Sequence, residues 1–157
     1  MIRDYFKDVV VLISRKFRKI TIDDIRFGKL IWEHELEWFS GKVNLFSRNV
    51  NLHISSRNSP PVISDKSREA FNIISQSEEK ILQKASDDLL AIFNENWNNE
   101  GTINSSAFQN RLILEAIILY PDGEAEIYYN DGNMFLGHTV IVKMSEDGKF
   151  TEAGIAG

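Results

Sequence analysis

RLILEAIILY-PDG-EAEIYY, residues 111–129, is the stretch on which the fold turns. The helical spacing of the preceding residues gives way here to a period of two. Arg111 to Tyr120 reads as one strand, Pro121-Asp122-Gly123 as a tight turn, and Glu124 to Tyr129 as the returning strand, which makes this the strongest hairpin signal in the chain. Downstream, Asn130-Asp131-Gly132-Asn133 turns the chain into a strand from Met134 to Met144. Val140 and Val142 share a face of that strand with His138, and Thr139 and Ile141 point the other way. Ser145-Glu146-Asp147-Gly148 turns again, leaving Phe150 to Ile155 for an edge strand.

Upstream of the hairpin, a short helix is expected from Ser105 or Ser106 to Asn110. Before it, Phe71, Ile74, Ile81, Ala85, Leu89, Ile92, Phe93 and Trp97 keep close to one helical face. That stripe implies a long helix starting near Ser64 or Asp65, with a break near Ser75 to Ser77 and a polar terminator over Asn94 to Gly101. Ser55 to Pro61, with its two prolines, is a loop. Phe27 to Trp32, Leu36 to Val43 and Asn49 to Ile54 read as strands. Tyr5, Phe6, Val9, Leu12, Ile13 and Phe17 recur at spacings of three and four, which predicts a helix over Asp4 to Arg18, and Thr21-Ile22-Asp23-Asp24 breaks that pattern. The expected architecture is α+β: a mainly antiparallel sheet with a long central helix and an additional N-terminal helix. Residues 1–24 would be a helical extension and residues 25–157 a single domain.

Composition narrows the function classes. The chain has 157 residues, enough for one hydrophobic core. It has no cysteine, so disulfides, thiolate metal sites and cysteine nucleophiles are excluded, and a reducing, cytoplasmic location is expected. A formal charge of -5 disfavours a phosphate backbone as partner. Arg15, Lys16, Arg18 and Lys19 form one basic cluster, which suits the polar end of a helix. The apolar run Val9 to Ile13 is too short to span a membrane. The expected partner is therefore a protein, with no nucleic acid and no membrane, and homo-oligomerisation is left open.

The chemistry-bearing residues are few. His138 is the best single candidate, with Asp131 across the connecting turn or Glu115, Glu124 or Glu126 as a carboxylate that could orient an imidazole as general base. No nucleophile accompanies them. His34, His53 and His138 are far apart and form no metal-ligand pattern, no phosphate loop or dinucleotide fingerprint occurs, and no cofactor is expected. Glu33, Glu35 and Glu37 alternate with His34, Leu36 and Trp38, as on a solvated strand face. Aromatic residues are the stronger signal. Trp38 and Phe39 point to opposite sides of a strand, as do Tyr128 and Tyr129, so one of each pair is available either to a covering element or to a partner. With Phe135 they form the candidate binding surface: Trp38, Phe39, Tyr128, Tyr129 and Phe135.

Several of these segments resemble an uncharacterised bacterial family, a domain of unknown function. The resemblance rests on Leu112 to Ile117, the Tyr120-Pro121-Asp122-Gly123 turn, Glu126 to Gly132, Met134 to His138 and Phe150 to Gly157, with Leu36 to Val43 and Asp88 to Trp97 upstream. It covers about residues 27–157. The family commonly has tryptophan where this chain has Leu136 and an acidic residue where it has Asn133, and it carries no catalytic assignment. Some such small domains accompany toxin–immunity loci, so the resemblance implies room for an immunity or accessory-binding role. The leading expectation is a non-enzymatic protein-binding module, immunity-like in that it blocks or sequesters another protein. The alternative is a small hydrolase or ligand-binding enzyme built on His138 and a nearby carboxylate.

Overall fold

Alternation of apolar and polar residues produces the sheet, and the helical stripe then has a surface to cover. The computed structural model describes residues 19–157. Its strands are β1 (Thr21–Asp24), β2 (Gly28–Glu33), β3 (Trp38–Leu45), β4 (Arg48–Ser55), β5 (Ile113–Leu119), β6 (Ala125–Asn130), β7 (Thr139–Met144) and β8 (Phe150–Ala156). They form one eight-stranded sheet in sequential order. Every pairing is antiparallel except β4 with β5, which is parallel in the register Asn51↔Ala116 to Ile54↔Leu119. Two four-stranded meanders thus join at a parallel seam. A parallel pair needs a crossover, and the helices supply it.

Those helices are α1 (Asp65–Ser75), α2 (Glu78–Ile92) and α3 (Ser105–Arg111). Ser64 caps α1 by accepting from the Ser67 amide at 2.9 Å. The break between α1 and α2 falls at Gln76 and Ser77, and α2 runs on into a π-helical turn, Phe93–Trp97. Phe71, Ile74, Ile81, Ala85 and Leu89 face the sheet, as the stripe predicts. They meet Phe39, Val43, Val50, Leu52, Ile54, Leu114, Ile117, Leu119, Ile127, Val140 and Val142, which all project from the same sheet face. Phe93, Phe108 and Phe135 close one end of this core edge-on, with centroids 5.6 to 6.3 Å apart.

The start of the chain corrects the expected fold. The helix expected over Asp4 to Arg18 lies outside the described residues. What is described of the N-terminal segment is strand: Thr21–Asp24, expected to interrupt or link, pairs with β2 from Thr21↔Ile31 to Asp24↔Gly28. An α+β body preceded by an additional N-terminal helix is therefore replaced by a mixed, mostly antiparallel sheet whose strands β1 to β4 fill the described N-terminal region. Asp24 fixes this segment through one local and one distant contact. Asp24 accepts the backbone amides of Arg26 and Phe27, which makes a turn, and its second oxygen binds Arg68 of α1 at 2.7 Å. That guanidinium hydrogen bond, backed by the two amides, holds the Asp24 carboxyl down at about 2 against the opposing effect of burial.

Candidate functional site

The helices cover one sheet face. The other face carries the alternate residues, and among the described residues no helix packs on it. Register lines them up in rows. One row crosses all eight strands: Thr21, Ile31, Ser40, His53, Ile118, Glu126, Lys143 and Glu152. A neighbouring row runs Lys42, Asn51, Ala116, Tyr128, Ile141 and Gly154. Ile31, Trp38, Ser40, His53, Ala116, Ile118, Tyr120, Glu126, Tyr128 and Ile141 are all half-buried, so the middle of this face is an apolar and aromatic strip rather than the charged surface usual on a solvated sheet.

Two clusters organise the strip. On β3 and β4 the Trp38 ring lies over His53, with centroids 4.5 Å apart and planes tilted by 34°. Ser40 Oγ is 3.2 Å from His53 Nδ1. Burial lowers the pKa of His53 and outweighs the opposing field of Glu33, so the neutral imidazole is favoured. Just after β5 and on β6, the Tyr120 and Tyr128 hydroxyls both donate to Glu126 Oε2, at 3.1 and 2.6 Å. Burial and then this carboxylate push Tyr120 up to about 12, and Tyr128 is raised further by the same two causes. Both phenols are therefore fixed as neutral donors, and the rings are held against the sheet. A cavity of about 130 Å³ lies beside them, lined by Tyr120, Glu126, Lys143 and Thr151.

The aromatic residues singled out from the sequence divide between the two faces. Trp38 and Tyr128 lie on the uncovered one. Phe39, Tyr129 and Phe135 are buried in the core, at 0%, 2% and 0% exposure, and offer nothing to a partner. Alternation told that one member of each pair faces outward; which one depends on where the helices sit. His53, Ile118, Tyr120 and Glu126 join the site through register, which sets residues far apart in sequence side by side.

Asp131 and His138 each bond within the turn that precedes β7. Asp131 is 1% exposed, and its carboxylate accepts the amides of Asn133, Phe135 and Gly137 at 3.0, 2.7 and 3.0 Å, so it organises the turn before β7. His138 turns its Nδ1 to the Phe135 carbonyl and packs in a T-shaped pair with Trp97, with centroids 5.8 Å apart, and no hydrogen bond joins it to Asp131. Glu115 is the extra, exposed residue of a bulge between Leu114 and Ala116. Among the described residues no group of three or more His, Asp or Glu side chains is placed to hold a metal ion. Nor is any helix among them long and apolar enough to cross a membrane. A cavity of about 730 Å³ is an open groove between α2 and the β7–β8 turn, lined by residues of both signs that include Glu79, Lys80, Asp87 and Lys149.

Comparison with known proteins agrees with the resemblance. A family described as an uncharacterized protein conserved in bacteria (DUF2262) matches residues 24–155. No curated protein and no solved structure matches the chain.

Proposed function

We propose, from the premise that this chain belongs to the DUF2262 family of uncharacterised bacterial proteins, that it acts as a non-catalytic protein-binding module and that the uncovered sheet face is its contact surface. The observation that carries the reading is the half-buried strip from Trp38 and His53 across Ile118 to Tyr120 and Tyr128. The Trp38 ring, with His53, Tyr120 and Tyr128 held by hydrogen bonds and Ser40, Asn51 and Lys143 among them, has the make-up of an interface centre with polar groups around it. Little ordering is needed on binding. His53 and the two phenols are already held by neighbours, which lowers the entropic cost of contact.

An immunity-like version of this reading has the face sequester another bacterial protein, and a cysteine-free chain suits a reducing cytoplasm for that role. The test is affinity capture from bacterial extract with the full chain and with Ile118→Arg and Tyr128→Asp. A partner held by the parent chain and released by both folded variants supports the reading. Capture that ignores both substitutions, or turnover of a substrate lost with His138→Ala, counts against it.

A further inference from the structure

We infer that the open sheet face pairs with the same face of a second copy, so that the protein is a face-to-face homodimer with two eight-stranded layers packed over the row from Thr21 to Glu152. The inference rests on the reading of that face as a contact surface and names its partner. Size is the first argument. Eight strands about 4.8 Å apart, six or so residues long at about 3.3 Å each, give a footprint of roughly 34 by 20 Å. That is roughly 700 Å² per copy before side-chain relief is counted, close to the ~800 Å² per partner of a standard stable interface.

Charge is the second. The chain carries a net -5, yet its paired outer positions hold Asp23, Glu33, Glu126 and Glu152 beside Lys29, Lys42 and Lys143. A face with both signs interspersed does not select a strongly basic or acidic partner, and a second copy is neither if the axis keeps like charges apart. A two-fold axis along the row would stack Glu126 on Glu126 and Lys143 on Lys143 of the two copies. An axis parallel to the strands, over the β4–β5 seam, avoids this. It places β4 on the other copy's β5, β3 on its β6 and β2 on its β7. His53 then meets Ile118, Ser40 meets Glu126, and Lys42 lies over the Tyr128 ring, a cation–π arrangement. Aligned sheets stacked about 10 Å apart are an ordinary sandwich, and a two-fold makes the contact self-limiting.

The test is sedimentation of the full chain from low micromolar to submillimolar concentration, with Ile118→Arg in parallel and circular dichroism of both. The expected result is a rise from 18.0 kDa to twice that mass for the parent chain, and the monomer mass throughout for the folded variant. The chain has no cysteine, so a second measurement does not depend on that substitution. His53→Cys mixed with Ile118→Cys should give an oxidised heterodimer in several-fold excess over either variant alone. A parent chain that stays monomeric overturns self-pairing, whether a segment of the same chain or a different protein occupies the face. If such a monomer still loses a captured partner on Ile118→Arg, only the identity of the occupant was wrong, and the contact-face reading stands. A dimer that Ile118→Arg leaves intact, or that yields no His53–Ile118 cross-link, also overturns it.

Discussion

Replacing Asp131 by asparagine separates a turn-organising carboxylate from a catalytic one. In the folded chain Oδ2 accepts from the Phe135 and Gly137 amides, at 2.7 and 3.0 Å, and Oδ1 accepts from Asn133 at 3.0 Å. Asparagine keeps the shape and replaces one acceptor oxygen by an NH₂ donor. With the amide nitrogen at Oδ2, two backbone donors face a donor; flipped, one does. Hydrogen bonds to a charged acceptor contribute about 1.5–3 kcal/mol each, and a buried donor left unpaired costs about 1–3 kcal/mol. The better flip gives up one charge-assisted bond, leaves the amide of exposed Asn133 to solvent and weakens the other two. The expected loss is about 3 kcal/mol. In a chain of this size, that lowers the melting midpoint by roughly 6–12 °C. Asp131→Ala should lose somewhat more, since all three amides then lose their acceptor. Urea titration with a fixed m-value gives the number directly. If Asp131→Asn were as stable as the parent within about 0.5 kcal/mol, the carboxylate would not be holding the turn, and a chemical role for Asp131 with His138 would have to be reopened.

Three further outcomes follow from the same geometry. Gly132 has φ +57°, and a Cβ there would sit 2.4 Å from the Arg111 carbonyl oxygen, so Gly132→Ala should destabilise by about 2 kcal/mol or more, read by urea unfolding. Asp24 falls from 3.8 to about 2 on folding, so its contribution is complete above pH 4 and is lost as pH drops toward 2. That shift corresponds to at most about 2.5 kcal/mol, and screening of a pair whose guanidinium is 34% exposed reduces it to about 1 kcal/mol; Asp24→Asn should remove it and flatten the acid limb of stability against pH. Glu126→Gln should let Tyr120 and Tyr128 ionise at lower pH in an ultraviolet alkaline titration, without returning them fully to the usual 10, because burial is the larger cause in both.

Strands and helices were legible wherever one periodicity ran long enough to be read alone. The hairpin of β5 and β6 and a helix break within Ser75 to Ser77 follow from local residues, whereas the choice of Ser64 over Asp65 as cap needed the structure. β1 was not legible, because four residues with two aspartates carry little apolar signal. It is a strand through its pairing with β2 and the tie from Asp24 to Arg68, 44 positions away. The candidate site was half legible for a related reason. Alternation says that Trp38 and Phe39 part company, and likewise Tyr128 and Tyr129, but not which member the helices bury. His53 and Ile118 could not be joined at all before the parallel register was known, since they lie 65 positions apart across a crossover of loop and helix.

That parallel seam also leaves one sheet face with no described helix on it. A crossover from β4 to β5 must travel over one side of the sheet, and here it takes every described helix with it, α1 to α3. Both meanders then present their alternate residues on the far side with no element left in the crossover to cover them. A sheet meant to face water would fill those positions with charge. Instead the seam itself carries His53 beside Ile118 and Asn51 beside Ala116, flanked by Trp38 and Tyr128, while the charged groups Lys143 and Glu152 pair at the β7–β8 edge at 2.6 Å. The same topological choice thus buries one aromatic set in the core and displays the other. Any substitution that tests the contact face, such as Ile118→Arg, should therefore spare stability, whereas Phe39→Ala, on the opposite side of β3, should cost about 3–5 kcal/mol.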